Sequence, residues 1–384
     1  MSKVLVSETN LTAIADAIRT KKGSEDTYKP GEMAAAINSI TTGGGGEGLP
    51  EGALTLTGNC KYRFYGGGWD WFLENYGSQI TCDNITGAES MFEECNLSEI
   101  PLELKASSKP IIVNEMFYNC NNLTKAPTLA STFKPYDNTA NCMFQHCFKL
   151  KTFPKYFFAY FTFNDYKYGG ADCHSMFRKC YSLEKLPDNL FTVVDKYLPD
   201  GTEVTTPAIT YVDNGMDMFC ECIRLRKIEN LPAYGKYGSV AQSYEEIYFN
   251  AFNALYMLDT LTFGNITTKS NLTNQIIDLT NNVGCAAYML PDGFDINKRV
   301  TNETNYQALK NTEDWWTDTK KYSRYNKTSA ETTVMSLPRL VDGYTSTIKF
   351  DGNCGSLTDG GAINTMNEEV IAVAAVRGWT VAFV

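Results

Sequence analysis

Apolar positions recur along the middle of the chain in a fixed arrangement. The stretch "MFYNCNNLTKAP" places Met116, Phe117, Cys120, Leu123 and Pro127 among polar residues. The same arrangement holds Met143, Phe144, Cys147, Leu150 and Pro154, and again Met176, Phe177, Cys180, Leu183 and Pro187. A copy with a longer tail holds Met218, Phe219, Cys222, Leu225 and Pro232, and a slightly shortened one holds Met91, Phe92, Cys95 and Pro101. In a worn sixth copy, "AFNALYMLDTL", Ala251 replaces Met and Leu255 replaces Cys. The starts lie 25, 27, 33, 42 and 33 residues apart. Periods of this size mark stacked supersecondary units, none able to bury its apolar face alone. The expected unit is a short strand, a helical turn at Met-Phe-x-x-Cys, and an exit through Leu and Pro. On one side of such a turn Met, Phe, Cys and Leu all face inward, and Pro stops the helix at the same place each time.

Patterning divides the rest of the chain. In residues 1–41, Leu11, Ile14 and Ile18 share one helical stripe, and Met33, Ile37 and Ile40 share another. Two such short helices cannot bury their stripes alone, so this segment is expected to attach to a partner or to further copies of the chain. Residues 42–50, with Gly43 to Gly46, read as a flexible joint. Residues 51–80 read as an N-terminal cap, 81–265 as the repeat body, and 266–384 as a C-terminal region ending in a cap. Near the end, Thr365 and Glu368 suggest a capping box, Gly378 a helix stop, and "WTVAFV" a final strand. Pro199, Asp200 and Gly201 mark a hairpin inside the longest interval.

Composition narrows the chemistry. The net charge of −10 repels phosphate backbones and argues against a nucleic-acid partner. No apolar run is long enough to insert into a membrane, and the start lacks a signal-peptide core, which suits synthesis and folding in a cytoplasm. Of twelve cysteines, five hold one repeat position. The worn copy accepts Leu there, so the site wants a small buried hydrophobe, and a ladder of reduced thiols is expected. "CEC" at 220–222 and "CHSMFRKC" at 173–180 lack paired zinc spacing, so no metal is expected. There are two histidines and no GxSxG, HExxH or phosphate-loop motif, so neither catalysis nor a cofactor is expected.

Aromatic clusters are the better binding candidates, because sugar C–H faces stack on exposed rings. Trp315 and Trp316 form one cluster, and Tyr156, Tyr160, Tyr166 and Tyr168 form another. Trp69 and Trp71 are read in the first place as packing of the cap.

The repeat resembles the BspA-type leucine-rich repeat of bacterial surface proteins and of bacteriophage proteins, over about residues 80 to 265. The segment "LTAIADAIRTKKGSEDTYKPGEMAAAINSI" is similar to one that recurs in structural proteins of tailed phages. The resemblance implies an α+β fold: a leucine-rich-repeat solenoid of five to six repeats with terminal caps and a short helical anchor. It also implies a non-enzymatic virion protein, a tail fibre or receptor-binding protein, located on the tail rather than the head. Residues 1–41 would bind other virion proteins, and the repeat body a host surface glycan or protein. Homo-oligomers, commonly trimers in the resembling proteins, are expected. The other readings are a decoration fibre without a receptor, a bacterial surface adhesin, and a glycan-degrading tail protein.

Overall fold

The computed structural model describes residues 55–104, 111–130, 133, 140–159, 161, 171–193, 197, 201, 203, 207–232, 247–264, 275–280, 302–310 and 323–384. All belong to one compact unit, Leu54–Val384. The attachment stripes and the glycine joint lie outside the described residues.

The Met-Phe-x-x-Cys segments are not turns of a regular helix. Each has two residues at positive φ, one before Met and one two after Phe. In the first column stand Tyr62, Ser90, Glu115, Cys142, Ser175, Asp217 and Asn250; in the second stand Gly66, Glu94, Asn119, His146, Lys179, Glu221 and Ala254. A left-handed L-residue costs about 1–2 kcal/mol. The neighbouring copies offset this cost. Reversing φ at these two positions aims alternate N–H groups out of the turn and onto the next copy. The amides of Ser90, Phe92 and Glu94 donate to the carbonyls of Asn114, Met116 and Tyr118 at 2.8–2.9 Å. Between them, Met91, Glu93 and Cys95 donate back three residues, to Ala88, Ser90 and Phe92. The scheme repeats from Phe117 to Met143, Phe144 to Met176, Phe177 to Met218 and Phe219 to Ala251. Side chains in the first column add bridges that glycine could not make, such as Ser90 to Glu115 and Arg178 to Asp217.

The N-terminal segment holds a turn of the same kind. Cys60, Tyr62, Phe64 and Gly66 donate to the carbonyls of Gly87, Glu89, Met91 and Glu93. Residues 60–66 therefore continue the stack, which was expected to begin at Met91. Helix α1 (Asp70–Tyr76) follows directly.

Strands flank the turns and pair in parallel from one copy to the next. β1 (Thr55–Asn59) pairs with β2 (Thr81–Gly87), β3 (Ala171–Asp172) with β4 (Val212–Asn214), and β5 (Lys227–Leu231) with β6 (Thr260–Phe263). Single parallel bridges join Leu104 to Leu129 and Lys125 to Thr152. Tyr197 and Glu203 bridge antiparallel around Gly201. Helix α2 (Glu303–Lys310) is tied to the fourth Met-Phe turn by Lys179, whose ammonium lies 3.1 Å from Glu303.

The C-terminal region closes the other end. β7 (Ile276–Leu279), β8 (Ser346–Phe350) and β9 (Trp379–Phe383) form a parallel sheet in that order. Helix α3 (Lys327–Ser336) packs on β6, where Ser336 accepts from the Phe263 amide and Thr333 donates to the Leu261 carbonyl. The Gln275 side chain accepts from the Ile247 amide at 2.7 Å, beside the last turn. Helix α4 (Glu368–Val376) ends before Gly378, at φ +94°. Its cap is Asn367, which accepts from the Glu369 amide, and not the Thr365–Glu368 box, because Thr365 donates to Ala362 instead. One hydrophobic cluster runs from Leu56 to Trp379.

Candidate functional site

The repeat residues form the interior. Met91, Phe92, Cys95, Met116, Phe117, Cys120, Met143, Phe144, Cys147, Met176, Phe177, Cys180, Met218, Phe219 and Cys222 are each at most 1 % exposed. Their phenyl rings pile face to face. Successive centroids from Phe64 through Phe92, Phe117, Phe144 and Phe177 to Phe219 lie 5.1–6.2 Å apart, with planes within 20°. The thiols make a second column, in which Cys120, Cys147, Cys180 and Cys222 each donate to the preceding copy's Phe carbonyl at 2.9–3.2 Å. For Cys95 no preceding carbonyl serves this role. Asp70, in the first turn of α1, takes its place and accepts from the Cys95 thiol and the Asn96 amide.

All eleven described cysteines are free thiols. Burial raises the ladder thiols above their ordinary value, so none is poised as a nucleophile. Native protein should therefore resist iodoacetamide at Cys95, Cys120, Cys147, Cys180 and Cys222, while urea-unfolded protein should react at all five. Mass spectrometry that finds disulfides among them, or labels them in native protein, would refute the ladder.

No three His, Cys, Asp or Glu side chains gather to hold a metal among the described residues. Cys173 is fully buried, whereas its neighbour His174 is partly exposed. No described helix is long and apolar enough to cross a membrane.

His146, at a left-handed position, packs between Tyr118 and Phe148 at 5.6 and 5.8 Å. Burial, reinforced by Lys179 and Arg178 and opposed by Glu303, pushes its pKa down from 6.5 to about 4. The unfolded chain takes up this proton near pH 6.5, and the native chain only near pH 4. Stability should thus fall as pH drops through that window, by about 1–2 kcal/mol after discounting for the solvent that reaches the ring. Urea melts at pH 7, 5.5 and 4.5 check this, and His146→Asn should flatten the slope. An unchanged slope in the variant would assign the proton elsewhere. Beyond His146, Phe148 stacks on Tyr181 at 5.0 Å, and Tyr181 donates to Glu303 of α2. Burial favours the neutral Glu303 acid, but the bonds from Tyr181, Gln307 and Lys179 outweigh it and lower the pKa.

Tyr156 is half-buried at φ +65°, with the Lys155 ammonium 4.7 Å above its ring. Tyr160, Tyr166, Tyr168, Trp315 and Trp316 lie outside the described residues. A different aromatic group stands open at the N-terminal end of the stack. Tyr62 is 51 % exposed, Tyr65 45 %, Trp69 38 % and Trp71 53 %. Cap packing accounts for only part of the two tryptophans. Trp69 meets Phe64 and Phe72 edge to face, and Trp71 meets Tyr76 in the same way. Tyr62 and Tyr65 were missed because "CKYRFYG" keeps only the Phe of the repeat. The clustering of five aromatic residues, Phe64 and the four open ones, within ten positions was the available signal.

Comparison with family models, with curated proteins and with solved structures finds no match to this chain.

Proposed function

We propose that this chain is a non-enzymatic virion protein of a tailed phage, a tail fibre or receptor-binding protein. In this reading the stacked body is a BspA-type leucine-rich-repeat solenoid, residues 1–41 hold it to the particle, and the body meets the host surface. The observation that carries the reading is the contrast between interior and surface. The ladder thiols are buried and idle, while large aromatic rings stand open at one end, as suits adhesion rather than catalysis. The order of segments along the chain, with helical stripes, glycine joint and self-stacking body, supports the same reading.

The test has two arms. Fluorescently labelled full-length protein should bind a subset of bacterial strains saturably. Deleting residues 1–41 should abolish incorporation into particles and leave cell binding intact. Failure to bind any strain would remove the receptor role, and particles that retain the truncated protein would remove the anchor role.

A further inference from the structure

The open rings at the N-terminal end flank a run of three glycines, Gly66 to Gly68. Gly66 needs to be glycine for its backbone, because φ +76° is combined with ψ 158°, a region open to glycine alone, unlike the left-handed residues of its column. Gly68 does not. It sits in a short helical turn, Gly67–Trp69, with no positive φ, and an added Cβ would meet nothing within 4 Å. An added Cβ at Gly66 likewise meets open space. The backbone is therefore bare at Gly66 and Gly68, which follow Tyr62 and Tyr65 in the chain and precede Trp69 and Trp71, whereas a Cβ at Gly67 would meet the Asp70 carboxylate at 3.1 Å. Carboxylates stand beside it. The charges of Glu94 and, less strongly, Glu93 lie near Tyr65 and raise the pKa of its hydroxyl, and Glu93 accepts the Gly66 amide through its backbone carbonyl. Lys61 lies 4.9 Å over the Tyr62 ring and 2.8 Å from Glu89, so this cation is already engaged.

We propose that Tyr65, Trp69 and Trp71, with the glycine floor and Glu94, form a binding site for neutral polysaccharide. This deepens, and rests on, the receptor-binding reading above. Pyranose rings present flat C–H faces that stack on open aromatic rings, and their hydroxyls donate to carboxylates. A glycine floor admits the chain of sugars close to the backbone. The carboxylates and the net charge of −10 select against anionic polymers. A glycan fits better than an apolar peptide, because the open rings have charged neighbours, Glu94 near Tyr65 and the Asp70 carboxylate beside Gly67.

The test uses the full chain, titrated calorimetrically with cellohexaose, chitohexaose, a rhamnose hexasaccharide and polygalacturonate. At least one neutral oligomer should bind and polygalacturonate should not. Trp71→Ala and Gly68→Gln should each weaken that binding about tenfold or more, with unchanged melting temperature. Gly68→Gln fills open space in a turn whose backbone accepts any residue, so it stands in should Trp71→Ala fail to fold. No binding of any neutral oligomer by folded protein, or equal binding by both variants, would overturn the site. The two readings separate on cells. Variants that bind cells as well as the parent does would overturn this site and leave the receptor role. Oligosaccharide binding without any cell binding would uphold the site and remove the receptor role.

Discussion

Phe144→Ala should destabilise the protein by about 3–5 kcal/mol, measured as a shift of the urea midpoint. The ring is fully buried at the middle of the phenyl column. It lies 5.1 Å from Phe117 and 6.0 Å from Phe177, both nearly parallel, and 5.1 Å from Phe153 edge to face. Truncation leaves a phenyl-sized void that the hydrogen-bonded turns above and below cannot close, because their spacing is set by the backbone ladder. In a linear stack stability resides in contacts between neighbours, so the loss falls on both interfaces at once. Phe64, at the end of the column, stacks on only one phenylalanine, Phe92, and its other ring neighbour is Trp69. Phe64→Ala should cost less than Phe144→Ala. A cost below about 1.5 kcal/mol at Phe144 would mean that the column is not the structural spine.

Gly355→Ala should cost about 3 kcal/mol or more, by a different mechanism. Its φ is +74°, and an added Cβ would sit 2.4 Å from the Asn326 Cβ and 2.7 Å from the Asn326 Cα. Asn326 caps α3, accepting from the Ser329 amide, and α3 packs on the last described strand of the stack. The clash is against backbone, so it cannot relax by a rotamer change. It must loosen either the loop or the helix cap. Gly343→Ala is the control, at φ +85° with nothing within 4 Å of the added atom, and should cost only the backbone strain of about 1–2 kcal/mol. Equal melting temperatures for the two variants would show that the loop yields freely around Asn326.

Pattern alone located the buried columns. Met, Phe, Cys and Leu recur because each copy must offer the same shapes to the copies on either side. Burial reads out in sequence as a restriction of residue type, and the tolerance of Leu255 for Cys pointed to packing rather than chemistry. The backbone of the turn was not legible. Glu94, His146, Lys179 and Glu221 carry no sign of a left-handed conformation, because their strain is compensated by hydrogen bonds to another copy and not by their own side-chain type. The turn at residues 60–66 was hidden for a related reason. At the end of a stack one neighbour is missing, so the restriction relaxes and only Phe64 survives of the motif.

The candidate site divides in the same way. The sequence by itself determined that aromatic clusters existed, that no GxSxG, HExxH or phosphate-loop motif is present, and that the chain is strongly acidic. Which rings are spent on packing and which stand open was decided only by the tertiary structure. Trp379 and Trp71 are the same residue type, yet Trp379 is buried with its ring N–H donating to the Pro338 carbonyl, and Trp71 is half-exposed beside Tyr76. Exposure depends on what the rest of the chain brings against a side chain, and that is settled by long-range contacts that no local pattern encodes.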